Sequence, residues 1–215
     1  MVYVYSIQHG RERDSGKKRE EPYGSVTMSL TEFKARRDFR KTKEPSGAEE
    51  GGRAELFVIQ KHDARNLHYD FRISVDGVLV SWAVPKGPST DPREKRLAIR
   101  TEDHPLSYAE FEGVIPEGEY GAGTVMVWDR GTYENLNEDE RVAEGLENGH
   151  IKINLKGEKL KGGYALTETN SEKNWWILVK TRDDAADARS NPTSTRPRSV
   201  LTGRTLKEIQ EEEGT

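Results

Sequence analysis

The middle of the chain alternates apolar and polar residues with the period of two that is typical of half-buried β-strands. The segments with this pattern are short, and clusters of glycine, proline, asparagine or aspartate separate them. They read "ELFVIQKH", "NLHYDFRISV", "VLVSWAV", "RLAIR", "GTVMVWDRGTY", "HIKINL", "KLKGGYALTE" and "NWWILVK". Asp76-Gly77, between the second and third segments, is a strong signal for a tight hairpin. The pattern predicts a mainly all-β domain, an antiparallel barrel or sandwich.

The two ends of the chain lack this alternation. Residues 10–24, "GRERDSGKKREEPYG", are charged and almost free of aliphatic side chains, so they cannot bury enough surface to offset chain entropy. "SLTEFKARRDFRKTKEP" predicts a short helix, and "NEDERVAEGLENG" predicts another within the strand-rich region. We expect a flexible N-terminal arm over residues 1–28, a barrel domain over 29–182 and a linker-like C-terminal tail over 183–215.

Composition narrows the class of protein. The 215 residues fit one domain with flanking segments, and 34 basic against 38 acidic side chains give a formal charge of −4. A polyanion site must therefore be local, because the whole chain has no basic excess. The absence of cysteine excludes disulfides and thiolate metal sites. No apolar run reaches membrane-spanning length, and we expect a cytoplasmic monomer that does not associate with membranes.

The stretch "HDARNLHYDFRIS", residues 62–74, carries the candidate chemistry. Alternate residues of a strand share a face, which groups His68, Asp70 and Arg72. The opposite face groups Tyr69, Phe71 and Ile73, which are sufficient to build core. His62 lies six residues before His68 and could fold back toward it. Two imidazoles and a carboxylate can bind a divalent ion, although spacing does not choose among manganese, zinc, iron and cobalt, and an ordinary exposed strand face is the alternative.

Further cationic side chains could serve a phosphate near such a metal. Arginine binds phosphate oxygens bidentately, and Arg72 lies beside the proposed ion. Arg96 and Arg100 share one face of "RLAIR", and we expect Leu97 and Ile99 on its other face to point to the core. The loop "TEDHPLSY" adds His104, which could donate a proton to a phosphoryl group at neutral pH, and a tyrosine.

Two other motifs have a structural interpretation. "PEGEYGAGTV", residues 116–125, lacks the Lys-Ser/Thr of a nucleotide-binding loop and leads into a strand, so it predicts a glycine-bent turn. Trp175 and Trp176 fall within one strand, and we expect one of them to pack inward. For the other, stacking on a nucleobase is the less favoured alternative to a surface position.

Long segments of the chain resemble a known family. "FVIQKHDARNLHYDFRISVDGVLVSWAVPKGPS" and "RLAIRTEDHPLSYAEFEGVIPEGEYGAGTVMVWDRGTYE" closely resemble the 3′-phosphoesterase domain of the bacterial DNA ligase D of non-homologous end joining, which also has stand-alone members. The resemblance covers residues 30–181 and implies a compact antiparallel β-barrel with short flanking helices. It also implies a metal-dependent enzyme that removes a 3′-terminal ribonucleoside and then the 3′-phosphate, leaving a 3′-hydroxyl for ligation. The implied partners are primer-template or duplex 3′ ends, and a separate ligase or polymerase of end joining.

The resemblance assigns roles to particular positions, all of which hold the residue types of the family. It implies that Mn²⁺, or another divalent transition metal, is bound by His62, His68 and Asp70. It implies a catalytic set made of those three ligands with Arg72 and His104. The implied substrate contacts are Arg72, His104, Arg96 and Tyr108, together with an N-terminal element that acts in the phosphodiesterase step, Arg37, Asp38 and Glu44.

Two other function classes remain open from the residues alone. In a non-haem iron oxygenase, His68 and Asp70 would form a facial triad with a distant histidine such as His150, and His62 would be spare. In a noncatalytic module, the cationic groups would only hold the phosphates of a nucleic-acid end. Substitution of His62 separates the two enzyme classes, because only the phosphoesterase needs it for the metal.

Overall fold

The structure, a computed structural model, describes residues 26–47 and 55–214. These ranges contain helices and strands in the following order: α1 Val26–Ala35, β1 Leu56–Asp63, β2 Leu67–Val75, β3 Val78–Val84, β4 Arg96–Arg100, β5 His104–Pro105, a 3₁₀ turn Leu106–Glu110, β6 Gly113–Ile115, β7 Gly123–Asn135, α2 Val142–Glu147, β8 His150–Gly157, β9 Lys161–Asn170, β10 Trp175–Lys180, α3 Pro192–Thr195 and α4 Leu206–Glu213. Most of the predicted N-terminal arm lies outside the described residues. None of the described helices is long and apolar enough to cross a membrane.

The strands close into an antiparallel barrel. The pairing order is β1-β2-β3-β4-β10-β9-β8-β7, and β7 pairs back with β1. Eight strands of the described chain therefore form a closed ring, which confirms the predicted all-β barrel with short flanking helices. The two shortest strands lie outside this ring, where β5 pairs with β3 and β6 extends the sheet beside β7.

The β2–β3 hairpin sets the register of the site strand. Asp76 and Gly77 have φ angles of 47° and 87°, the left-handed conformation that a two-residue turn between twisted strands requires. Glycine adopts it without a steric penalty, and aspartate tolerates it better than most residues. Val75 consequently pairs with Val78, and Asp70 pairs with Ala83. The hairpin prediction is confirmed.

Two apolar clusters lie on the two sides of the barrel wall. The interior cluster contains large, fully buried side chains, among them Phe71, Trp82 and Trp128. The outer cluster lies under α1 and the 3₁₀ turn and includes Phe33, Leu79, Tyr108, Val125 and Val127. Strands β1, β2 and β3 are thus buried on both faces, whereas β4 and β10 have an exposed outer face.

The prediction that Leu97 and Ile99 of β4 point to the core is wrong. Ala98 is fully buried in the interior cluster, where it pairs with the buried Trp176, and Leu97 is 37% exposed on the outside. Arg96 and Arg100 therefore share the interior side with Ala98. The rings of Trp82 and Trp176, 5.6 Å apart, occupy this part of the interior, and the small Ala98 takes little space beside them. The guanidinium of Arg100 lies over the ring of Trp82, 5.3 Å from its centroid.

The C-terminal segment lies against the barrel. Composition predicted a linker-like tail, but Ile209 of α4 is fully buried in the interior cluster. Thr205 and Glu208 form a capping box that starts α4, and the indole N–H of Trp128 donates to the carbonyl of Arg196 at 2.8 Å. Local composition cannot report such contacts, because they join residues far apart in the chain. The domain boundaries themselves stay a prediction.

Candidate metal and phosphate site

Three potential metal ligands converge on the outer wall of the barrel. His62 of β1 pairs directly with His68 of β2, and Asp70 follows two residues later on the same face. The Nδ1 atom of His62 lies 3.5 Å from Asp70 Oδ2, and the Nε2 atom of His68 lies 3.6 Å from Asp70 Oδ1. One donor atom from each residue lies within 4.8 Å of the others, so the three side chains could hold one metal ion.

Backbone carbonyls orient both imidazoles. The Nε2–H of His62 donates to the carbonyl of Gly121 at 2.9 Å, and the Nδ1–H of His68 donates to the carbonyl of Asn66 at 2.8 Å. In the neutral form of each ring, which is the form that coordinates a metal, the nitrogen that faces Asp70 carries the lone pair. This use of the second ring nitrogen is typical of metal-binding histidines. The residues present therefore fit a divalent ion.

The charge balance of the cluster favours an ionised carboxylate. Burial alone would raise the pKa of Asp70, but the positive charge of Arg72 and hydrogen bonds from both histidines hold that pKa well below its ordinary value. Arg72 Nη2 lies 3.1 Å from Asp70 Oδ2. Burial alone would lower the pKa of His68. The hydrogen bond to Asp70 and the negative charge of Asp70 outweigh burial and raise the pKa of His68.

Arg72 is a buried cation held from three sides. Its Nε donates to the side-chain oxygen of Gln60 and its Nη1 to the hydroxyl of Ser81, both at 2.8 Å, and Nη1 lies 2.9 Å from His104 Nδ1. Gln60, Arg72 and Ser81 come from the neighbouring strands β1, β2 and β3, which face the same side at this point. The guanidinium is therefore fixed in position before any anion arrives.

His104 lies behind Arg72 as a neutral imidazole. It is buried, and its ring contacts Phe33 and Tyr108 with centroids 4.8 Å away in each case. Burial, together with the positive charges of Arg72 and Arg37, holds the pKa of His104 well below its ordinary value. At neutral pH this ring is uncharged, and an incoming anion would raise its proton affinity.

The N-terminal element reaches this site through Arg37. Its Nε donates to Glu44 at 2.9 Å, and its Nη2 lies 3.5 Å from His104 Nε2. The hydroxyl of Tyr108 also donates to Glu44 at 2.9 Å. Burial and the charge of Glu44 raise the pKa of Tyr108, so its hydroxyl stays protonated. A continuous network thus joins α1 and the following loop to the barrel wall.

Three candidate residues of the sequence, Asp38, Arg96 and His150, lie outside this cluster. Asp38 lies in the loop after α1 and bonds Arg40, with Nε to Oδ1 at 2.9 Å. Arg96 lies on the interior side of β4 and pairs with Glu94, whereas Ile99 is the β4 residue on the face of Asp70. The substrate roles of Asp38 and Arg96 stay predictions. His150, given as an example of the third ligand in the oxygenase alternative, bonds Thr167 on β9, and the described triad contains His62 instead.

A cavity opens at the triad, and it is lined in part by residues that the sequence pattern did not predict for the site. It has a volume of about 270 Å³ and is lined by both triad histidines as well as Glu102, Tyr120 and Gly121. Glu102 accepts from Arg36 at 3.2 Å and from Arg37 at 3.4 Å. Tyr120 is 46% exposed at the cavity mouth, where Arg36 donates to its hydroxyl at 3.0 Å. The predicted glycine-bent turn positions both Tyr120 and the Gly121 carbonyl, and its glycines were the available signal.

The fold and the site together define a class of β-barrel proteins that combine a metal-ligand triad with buried groups suited to phosphate. Comparison with known families identifies the particular one. The family model described as "DNA Ligase D 3'-phosphoesterase domain" matches residues 60–168. The chain belongs to this family, and the resemblance noted from its motifs is confirmed.

Relatives carry the same domain within longer proteins. The chain is 50% identical over 184 residues to the "Multifunctional non-homologous end joining protein LigD" of Pseudomonas aeruginosa, a match that covers 82% of this chain and 22% of that protein. The LigD proteins of Mycobacterium tuberculosis and Mycolicibacterium smegmatis are 49% and 47% identical over 160 and 171 residues. Those matches cover 74% and 76% of this chain, but 20% and 22% of the relatives. The chain spans about a fifth of the length of these relatives.

Proposed function

We propose that this protein is a manganese-dependent phosphoesterase that heals the 3′ ends of nucleic acids for end joining. The observation that carries the proposal is the convergence of the His62-His68-Asp70 triad with Arg72 and His104 in one cavity. Membership in the ligase D 3′-phosphoesterase family supports the reaction class. Non-homologous end joining is the process that the names of these relatives give.

The chemistry follows from the positions of the buried groups. A divalent ion on the triad would supply Lewis-acid polarisation of a phosphoryl oxygen. Arg72 stabilises negative charge that develops on the phosphoryl group, and its three bonds remove the need to reorganise during the reaction. His104 is neutral before the substrate binds. The negative phosphate raises its proton affinity, so the ring takes up a proton that it can give to the leaving oxygen.

The substrate we propose is a primer-template or duplex 3′ end that carries a ribonucleotide or a 3′-phosphate. The first step hydrolyses the diester, which releases the terminal ribonucleoside with a 5′-hydroxyl and leaves a 3′-phosphate. The second step hydrolyses that monoester, which releases inorganic phosphate and leaves a 3′-hydroxyl, and each step consumes one water. Arg37 and Glu44, which bond each other beside His104, would act in the diester step. We further propose a cytoplasmic monomer that works with a separate ligase or polymerase and does not associate with membranes.

Cleavage of a labelled primer–template tests the proposal. A labelled primer that ends in one or two ribonucleotides is annealed to a longer template and incubated with the protein and Mn²⁺, and the products are resolved on a denaturing gel. We expect stepwise conversion to a 3′-phosphate and then to a 3′-hydroxyl, abolished by chelator and by His62→Ala. His150→Ala is the matched control, because His150 bonds Thr167 outside the triad.

Metal affinity gives a readout that does not depend on turnover. Calorimetric titration with Mn²⁺ should detect one site in the wild-type protein and in His150→Ala, and none in His62→Ala that retains a folded circular dichroism spectrum. A folded, Mn²⁺-loaded protein that leaves both ribonucleotide and 3′-phosphate ends unchanged would contradict the catalytic proposal. Binding of the same ends without turnover would then favour the noncatalytic module.

A further inference from the structure

An exposed apolar strip lies on the outer face of β4 and β10. It consists of Leu97, Ile99, Trp175 and Ile177, and we call these four residues the outer strip. Trp175 pairs with Ile99 and Ile177 pairs with Leu97, so the four side chains share one face of the sheet. Leu97 and Trp175 are 37% and 39% exposed, and they belong to the few large hydrophobic residues of the described chain that face solvent. Ile99 and Ile177 are partly buried.

The outer strip is continuous with the metal and phosphate site. Strand pairing places Asp70 opposite Ala83, Ala83 opposite Ile99, and Ile99 opposite Trp175. The triad carboxylate and the exposed indole therefore stand in one row across four adjacent strands. Ala83 also lines the cavity, so the row begins in the cavity wall. At about 4.8 Å between strands, the row is about 14 Å long, or about four stacked nucleotides at about 3.4 Å each.

The chemistry of this row matches a nucleic-acid strand better than a protein segment. Exposed aromatic and aliphatic side chains on an open sheet face are a common platform for unpaired bases. The ammonium of Lys173 lies 4.6 Å from the centroid of the Trp175 ring. A solvent-exposed cation–π contact is weaker than base stacking on tryptophan, so a base can displace the ammonium and leave it to pair with a backbone phosphate.

We propose that the outer strip is the docking surface for the strand whose 3′ end enters the metal and phosphate site, with a base stacked on Trp175. This inference rests on the proposed function, because it assigns the direction in which the substrate strand leaves the cavity. The strand runs from the triad over Ala83 and Ile99 to the indole. Nucleotides next to the end contact the cavity, and a base about four positions away stacks on Trp175.

Intrinsic fluorescence provides a binding test that needs no turnover. Trp82, Trp128 and Trp176 are buried, so Trp175 is the tryptophan of this chain that a docked base can reach. Titration with a single-stranded oligodeoxythymidylate that ends in a 3′-phosphate, in the presence of chelator, should quench the fluorescence to a plateau. Trp175→Phe should lose most of the quenching but keep affinity measured by anisotropy of a labelled oligonucleotide. Trp175→Ala should raise the Kd by about 5- to 100-fold.

Leu136→Ala is the matched control for the loss of an exposed apolar side chain. Leu136 is 49% exposed at the end of β7, outside the outer strip, and its replacement should leave both quenching and Kd unchanged. Absence of quenching in the wild-type protein at saturating oligonucleotide, or an equal Kd for Trp175→Ala and the wild type, would overturn the docking proposal.

Substrate length separates this inference from the proposed function. Trp175→Ala should raise KM, with kcat unchanged, for 3′-phosphorylated oligonucleotides of about eight residues or more, which extend beyond the row. It should not change the hydrolysis of a 3′-phosphorylated mononucleotide. If the wild-type protein cleaves both substrates and Trp175→Ala alters neither, the docking proposal fails while the phosphoesterase stands. If the wild-type protein cleaves neither but Trp175 is quenched, the proposed function fails while docking stands.

Discussion

The two faces of strand β2 are both buried, but they are buried in different ways. The interior face is apolar and carries Tyr69, Phe71 and Ile73. The outer face carries Asp70 and Arg72, whose charges are paired with each other and with neighbouring polar side chains. Burial of the first face is favourable by itself, whereas burial of the second requires a partner for each charge. On this strand, burial alone therefore does not distinguish the core face from the face of the candidate site, but the pairing of charges does.

This difference predicts separable effects of substitution. The interior face should control the free energy of unfolding, and the outer face should control metal affinity, turnover and the response to pH. Because the two sets alternate along the same strand, neighbouring substitutions provide controls for each other.

Replacement of the triad carboxylate should have the largest effect. We expect Asp70→Asn to weaken Mn²⁺ binding by more than about 100-fold, because loss of a direct ligand should exceed the 10- to 100-fold cost typical of losing its supporting hydrogen bonds. It also leaves Arg72 buried without its anionic partner, which should cost about 3–5 kcal/mol of stability. Calorimetry with Mn²⁺ and urea unfolding measure the two effects.

Asp187→Asn is the control for the charge change, since Asp187 pairs with Arg189 at the protein surface. An Mn²⁺ affinity of Asp70→Asn similar to that of this control would refute the assignment of the triad.

Truncation on the interior face should affect stability rather than chemistry. Phe71 is fully buried, and its ring packs near those of Phe57 and Trp82 at centroid distances of 6.4 Å in both cases. We expect Phe71→Ala to lower the free energy of unfolding by about 3–5 kcal/mol because it leaves a cavity. The fraction that remains folded at low temperature should bind Mn²⁺ with nearly wild-type affinity. A folded variant that has lost the metal would show that the two faces are not separable.

Displacement of the Gly121 carbonyl, which orients His62, should have an intermediate effect on Mn²⁺ affinity. Gly121 has a φ of 78°, and a Cβ there would meet His62 Cε1 at 3.9 Å, an ordinary contact. The cost of Gly121→Ala is therefore backbone strain of about 1–2 kcal/mol, which the loop relieves by moving the carbonyl. We expect Mn²⁺ affinity to fall by about 10- to 100-fold.

Gly118→Ala provides the matched control in the same loop. Its φ is 87°, and nothing lies within 4 Å of the added Cβ, so it introduces similar strain without approaching a triad residue. Equal Mn²⁺ affinities for the two variants would contradict the positioning role of the Gly121 carbonyl.

The pH response should show the smallest effect. His104 has a pKa well below its unfolded value of about 6.5, so between these two values only the unfolded chain binds the proton. Its contribution to stability is present above about pH 6.5 and is lost as the pH falls. The pKa of His68 is raised, so its contribution to stability is present at low pH and is lost as the pH rises. A variant without the His104 imidazole should therefore lose less stability than the wild type on acidification.

The measurement is urea unfolding of the metal-free protein at several pH values between 5 and 8. His104→Gln should lose less stability than the wild type between pH 7 and pH 5, while His150→Gln should follow the wild type. A wild-type slope in His104→Gln would contradict the neutral state assigned to this buried ring.

The predictable part of this protein follows from local rules. The alternation in residues 67–75 and the Asp76-Gly77 turn predicted the β2–β3 hairpin and the two faces of β2, because side-chain direction in a strand has a period of two. The same rule failed for β4, where Leu97 and Ile99 were expected inside. Alternation groups residues by face but does not say which face is interior, and the tryptophans that fill the interior there come from β3 and β10.

The sequence by itself determined the eight strands of the barrel, which residues of each strand share a face, the candidate ligands and the family. Only the tertiary structure decided which of these residues meet. It brought Arg37 and Glu44 to His104 and placed the Gly121 carbonyl beside His62. It also left Asp38 and Arg96 outside the cavity and packed α4 on the barrel. The physical reason is that strand direction is a property of consecutive residues. Burial, charge pairing and cavity shape depend on segments that are distant in the chain and meet only when the barrel closes.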